Sequence, residues 1–164
     1  MQMSPMLAPI RKTTLIVWAL SGVTAAGAAA QQGPLPSSDT IRAAVAALVD
    51  VQGSFSEYWA LHDFTGDKAP FERLFALAQE APDSVLSALI DCFTDTRVTK
   101  AHWHGDPVSV GVVCYATTRM VAYREDEAGH RWTGNIVGYP SVKQLQVAQH
   151  AWRDAVHRHE YMLP

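Results

Sequence analysis

The sequence predicts an all-α domain, a compact bundle of four to six helices stapled by one disulfide. Three observations predict it. Apolar residues recur at helical spacing along most of the chain after Ser38. Short stretches holding Pro, Gly and Asp separate these runs, as in helices that pack as antiparallel neighbours. The chain also has 2 cysteines, Cys92 and Cys114. An even number in a small exported domain points to a bridge between them, worth about 3 kcal/mol through loop closure.

Export is read from the first thirty residues. Arg11 and Lys12 form a positive start, Thr13 to Val23 is largely apolar, and Ala28-Ala29-Ala30 before Gln31 fits a leader-peptidase cleavage pattern. The apolar stretch falls short of the roughly 20 residues that a spanning helix needs. Residues 1–30 are therefore expected to be a cleaved signal peptide, leaving no stable membrane anchor. Residues 31–37 form a flexible lead and residues 38–164 a single helical domain. Removing Arg11 and Lys12 from 13 basic residues leaves 11 against 16 acidic ones, a net charge of −5. That balance carries no footprint for nucleic acid or an anionic membrane. The expected location is the periplasm or the medium.

The helices follow in order. Ser38 is a fair N-cap, and Ile41, Val45, Leu48, Gln52, Phe55 and Trp59 continue one stripe, with Gly53 as a kink or break. His62 to Ala69 carries turn signals. Pro70 opens a second helix, with Phe71, Leu74, Phe75 and Ala78 as its buried side. Pro82-Asp83 opens a third, whose apolar face is Val85, Leu86, Leu89, Ile90 and Phe93. Thr96 to Gly105 reads as an extended connection or a short hairpin.

The next segment supports two readings. In Pro107 to Arg124, Val108, Val110, Val112 and Val113 are β-branched and partly alternate, as in a strand. The same stretch places Val110, Val113, Cys114, Thr117, Met120 and Val121 on one helical stripe, after an Asp106-Pro107 opening pair. Its length favours helix. Glu125 to Tyr139 is irregular. Ser141 with Gln144 makes a capping box, and Val142, Leu145, Ala148, Gln149, Trp152 and Val156 line the last helix. His157 to Pro164 is expected to be a polar or frayed end.

Asp106 to Ala116 (DPVSVGVVCYA), following Asp91-Cys92 and Thr96-Arg97, resembles a segment of small exported bacterial α-helical proteins of HEAT-like type. The resemblance covers Asp91–Arg124. It implies helices and the Cys92–Cys114 cystine, and no catalytic residue.

The candidate chemistry is sparse. His102 and His104 form one H-x-H pair and His157 and His159 another; in an extended segment each pair points two imidazoles to one side. His150, Asp154 and His157 share a helical face and form a candidate zinc or copper set. Surface histidines on solvated elements are the plainer account, since no specific ligand frame accompanies them. Asp63, Asp67, Asp91 and Asp95 could pair with Glu72 or Glu80 for acid–base work, but their spacing equally suits helix caps. No nucleophile elbow or phosphate cradle is present. Trp152 lies on a core stripe. Trp103 and Trp132 lie between elements and are the candidate recognition residues.

The function expected from these readings is binding: an envelope protein acting as an inhibitor, an immunity protein or an accessory subunit, with another protein as partner and no cofactor. A periplasmic metal-binding protein using the histidines is the first alternative, and a small hydrolase the second.

Overall fold

The structure, a computed structural model, describes residues 34–56, 59, 61–125, 131, 132, 136 and 138–164. The signal-peptide reading and residues 31–33 of the lead lie outside the described residues. Ser37 rather than Ser38 caps the first helix: its hydroxyl accepts the Thr40 N–H at 3.1 Å. Helix α1 (Ser38–Ala46) buries Ile41, Ala44 and Val45 and tightens into a 3₁₀ turn, Ala47–Asp50.

Here the all-α expectation fails. The stripe expected to run on through Gln52, Phe55 and Trp59 leaves the helix and becomes strand β1 (Gln52–Phe55) and the loop after it. Strand β2 (Thr65–Gly66) pairs antiparallel to β1, with Gly53 opposite Gly66. Gly53 has φ 143°, and a Cβ there would stand 2.2 Å from the Thr65 carbonyl oxygen and 2.6 Å from the Phe64 ring. The glycine is thus a point of close strand approach, not a helix kink. Over four residues, an inward Phe55 satisfies a period of two as well as one of 3.6, so apolar spacing cannot separate the two states.

Helices α2 (Ala69–Glu80) and α3 (Pro82–Asp91) follow their expected stripes, with a proline in the first turn of each. Together they form the crossover that a parallel pair requires, because β1 runs parallel to β3 (Val98–Trp103). The segment Thr96 to Gly105 is extended, as one of its two readings had it, but it holds only β3 and the turn. The hairpin is completed beyond it by β4 (Asp106–Ser109), giving a sheet of order β2-β1-β3-β4. Asp106-Pro107 therefore opens no helix. Pro107 sits in an edge strand, where a missing N–H is tolerated. Thr99 and Ala101 of β3 face inward and Val98, Lys100 and His102 outward, so one face of the sheet is covered and the other is open to solvent.

Helix α4 (Val110–Val121) starts at a Ser109 cap and is buried at every residue except the half-buried Arg119. Its buried Thr117 and Thr118 hydroxyls donate to the Val113 and Cys114 carbonyls, so neither is left unpaired. A helix buried all round carries no amphipathic stripe, which is why its sequence also read as a strand. Beyond it, β5 (Arg124–Glu125) pairs with β6 (Arg131–Trp132), and α5 (Val142–His157) begins with the expected Ser141–Gln144 capping box. Leu145, Gln149, Trp152 and Ala155 of α5 are buried, and Gln149 Nε2 donates to the Ile90 carbonyl of α3 at 2.7 Å.

Two further expectations meet the structure here. Cys92 and Cys114 are joined, tying the end of α3 to α4 across 22 positions with Cα atoms 6.1 Å apart. The C-terminus does not fray. Tyr123 and Met162 exchange backbone hydrogen bonds at 2.9 and 2.7 Å, and Leu163 packs on the core. Among the described residues the fold is thus a mixed α/β layer pair: five α-helices, a four-stranded mixed sheet and a two-stranded ribbon. No helix among them is long and apolar enough to cross a membrane.

Candidate functional site

The tip of the β3–β4 hairpin is made by His104 and Gly105, at φ 50° and 90°. Two consecutive left-handed residues are what a two-residue hairpin turn requires. The turn leaves Trp103 at the last position of β3, half-buried, opposite Asp106. Trp59, from the loop between β1 and β2, stacks on it with ring centroids 5.7 Å apart and planes 10° from parallel. Trp59 is 2% exposed, and Phe55 packs against its ring at 5.1 Å. Phe55 in turn meets Phe64 and Phe71, forming an aromatic wall under the stack. Tyr139 closes the cluster at 6.2 Å from Trp59 and 6.0 Å from Trp103, and remains 40% exposed.

This end of the sheet holds two departures from ordinary packing. Trp59 has φ 54°, a left-handed backbone in which bulky side chains are rare. Its indole N–H donates to the Gly138 carbonyl at 3.3 Å, which helps to hold that conformation. Among the described residues, the buried Trp103 Nε1 atom has no hydrogen-bond partner. Strain and an unanswered donor in one stacked pair cost free energy that the surrounding packing must offset. Tyr139 also blunts the sheet edge. Its hydroxyl accepts the Ser109 N–H at 3.2 Å, while Pro107, the other residue of β4 with its amide side outward, has no N–H to offer.

The candidate residues are placed as follows. His102 stands exposed on the open face of β3, across from Ser54 of β1. His104 leaves the strand at the turn and lies edge-on to Trp103, at 4.4 Å. The strand alternation that would aim both imidazoles to one side ends between them. His150, Asp154 and His157 are exposed along α5, and His150 Nδ1 is 2.8 Å from the Gln146 carbonyl. His159 lies beyond α5 at φ 52°, its Nδ1 3.5 Å from an Asp83 oxygen. Among the described residues, no three His, Cys, Asp or Glu side chains converge to hold a metal ion. Trp132 contributes its backbone to β6; its side chain lies outside the described residues. Trp152 is in the core, as expected.

Four of the candidate carboxylates hold structural contacts. Asp63 accepts from the Ser56 hydroxyl, Asp67 from the Ala69 N–H, and Asp91 pairs with Arg153 at 2.8 Å. Asp95 is held by Arg97 at 2.6 Å; that hydrogen bond keeps its carboxyl below the ordinary value against the opposing effect of burial. Their backbones matter as much: the Arg97 and Asp95 carbonyls accept the Val110 and Gly111 N–H groups at the start of α4. Burial and then the Asp83 carboxylate, its hydrogen-bond acceptor, push the Tyr161 phenol up. That contact pins the C-terminal segment to α3.

A second concavity, a groove of about 860 Å³, runs between α1 and α3. Ile41 and Val45 of α1 and Ser87 and Ala88 of α3 line it, together with Cys92 and Asp95 beyond α3. Sequence reasoning missed Trp59 and Tyr139 as members of the aromatic cluster. Trp59 was absorbed by the helical stripe, and Tyr139 fell in an irregular stretch with no periodicity to place it.

The molecule belongs to the class of small two-layer α/β domains with one cystine and an aromatic cluster at the sheet end. No family model matches the chain, and no curated protein or solved structure is detectably similar to it. Of the segment behind the HEAT-like resemblance, Val98–Ser109 forms the hairpin and Val110–Val121 the helix.

Proposed function

We propose that the mature chain is an extracytoplasmic binding domain, an inhibitor, immunity or accessory protein of the cell envelope, which takes a folded partner protein at the aromatic end of its sheet. The observation that carries this is the stacked Trp59–Trp103 pair under an exposed Tyr139. Rings fixed before contact lose little freedom on binding, and aromatic anchors of this kind dominate protein interfaces. The neighbouring open sheet face supplies Ser54, His102 and Lys100, a polar surround for an apolar centre. The cystine supports a location among oxidants.

The test is capture from an envelope extract with three variants. Tyr139→Ala removes the exposed ring. His104→Asn removes the imidazole while tolerating the left-handed backbone. His150→Ala, on the outer face of α5, is the control. The proposal expects one partner band to be retained by wild type and the control and lost with the first two, all four proteins unfolding within about 1 kcal/mol of one another. Equal capture by all four would refute it.

A further inference from the structure

Outside the aromatic cluster, the cystine is the one reactive group among the described residues whose two halves sit in unlike surroundings. Cys114 lies on α4 with no exposed surface, inside the core. Cys92 is half-buried, at the end of α3, and lines the groove between α1 and α3. A thiolate attacks a disulfide along the line of the S–S bond, from the side opposite the leaving sulfur. Cys114 has no exposed surface from which a thiolate could approach it, whereas Cys92 is half-buried and borders the groove.

We propose that the cystine exchanges with small-molecule thiols through Cys92 alone, with the α1–α3 groove as the route of entry. The attacking thiolate forms a new S–S bond to the Cys92 sulfur. The Cys92–Cys114 bond breaks, and its electron pair leaves with the Cys114 sulfur, which takes a proton to become a buried thiol. The product is a mixed disulfide on Cys92, and a second thiol releases it to give the dithiol form. By reversal, the bridge closes when the Cys114 thiolate attacks a mixed disulfide on Cys92. Cys114 is a poor leaving group because its thiolate forms in apolar surroundings, so the bridge is long-lived although it is reachable. Cys92 is thereby assigned as the site of S-thiolation and Cys114 as the resolving residue.

The experiment uses oxidised glutathione on folded Cys114→Ala and Cys92→Ser variants, with adducts read by intact mass. Cys114→Ala is expected to gain one glutathionyl group. Cys92→Ser, whose remaining thiol is shut in the core, is expected to react roughly a hundredfold more slowly until denaturant opens it. A second arm needs no variant. Native protein is treated with reduced glutathione, quenched by alkylation and mapped by peptide mass, and the glutathionyl group is expected on Cys92. Glutathionylation of Cys114, an even split between the two cysteines, or no adduct under conditions that open an exposed cystine would overturn the assignment.

Discussion

Trp152 in the helical layer and Trp103 at the end of the sheet are both packed indoles, yet they sit in opposite kinds of neighbourhood. Trp152 is fully buried on α5, seven residues after Leu145 and three before Ala155, where capping, periodicity and packing agree. Trp103 is half-buried at the end of β3, and it stacks on a residue with a left-handed backbone. Local rules that agree mark a scaffold, and local rules broken together mark a place kept for another reason. The comparison separates a helical layer in which local rules agree from a sheet end in which they do not, and the proposed function rests on that second region.

The largest expected effect separates the two directly. Trp152→Ala should cost about 4 kcal/mol, since it empties the largest fully buried side chain of the core. Trp103→Ala should cost about 2 kcal/mol, because the ring is partly solvated. Denaturant unfolding measures both, and equal losses would break the distinction. Next comes the cystine. The double variant Cys92→Ser/Cys114→Ala should lose about 3 kcal/mol if closure of the loop dominates.

Two glycines sharpen the same contrast, one in each layer. A Cβ at Gly111 would stand 2.2 Å from the Phe93 carbonyl oxygen, where the start of α4 packs on the chain leaving α3. A Cβ at Gly53 would meet Thr65 at the same distance, on a backbone that also disfavours side chains. Either alanine should cost about 2 kcal/mol. Only Gly53→Ala should also disturb the Trp59–Trp103 stack, visible as a change in near-ultraviolet circular dichroism or tryptophan fluorescence.

How much of this was readable follows the same line. α2, α3 and α5 were legible because each is amphipathic and opened by Pro or a capping box. Cys92–Cys114 was legible from count and compartment. The sheet was not. Gln52, Phe55 and Trp59 keep helical spacing by coincidence, and what makes β1 a strand is its pairing with Lys100 to Trp103, almost fifty positions on. No local pattern carries that pairing. Thr96 to Gly105 read as an extended connection or a short hairpin, but the second strand of the hairpin lies beyond it, in Asp106–Ser109, which read as a helix opening. The aromatic cluster joins Trp59, Trp103 and Tyr139 from three loops and strand ends, and only the closed sheet brings them together.

A pH dependence follows from the joint of the two layers. Asp95 has its carboxyl lowered from 3.8, first by the Arg97 hydrogen bond. A lowered folded value means that its contribution is present above the unfolded pKa and disappears as pH falls through the folded one. Asp95→Asn keeps an acceptor for the Arg97 N–H and removes only the charge. Its melting temperature should lie below that of wild type at neutral pH, and the gap should close as pH falls below about 4. A gap that stays constant into acid would show that the loss is steric and not ionic.

The smallest effect tests what Tyr139 is for. Its hydroxyl accepts the Ser109 N–H, so Tyr139→Phe uncovers an amide on the sheet edge but leaves the ring beside Trp59 and Trp103. That amide can turn to water, so the loss should be about 0.5 kcal/mol. Partner capture should survive, because the ring is the anchor. Hydrogen exchange at Ser109 should quicken while that at Ala101, inside the sheet, stays unchanged. If Tyr139→Phe instead abolishes capture with the fold intact, the hydroxyl itself meets the partner. The edge-blunting hydrogen bond would then be exchanged for a contact across the interface, and recognition would pass from the stacked rings to the strand edge they guard.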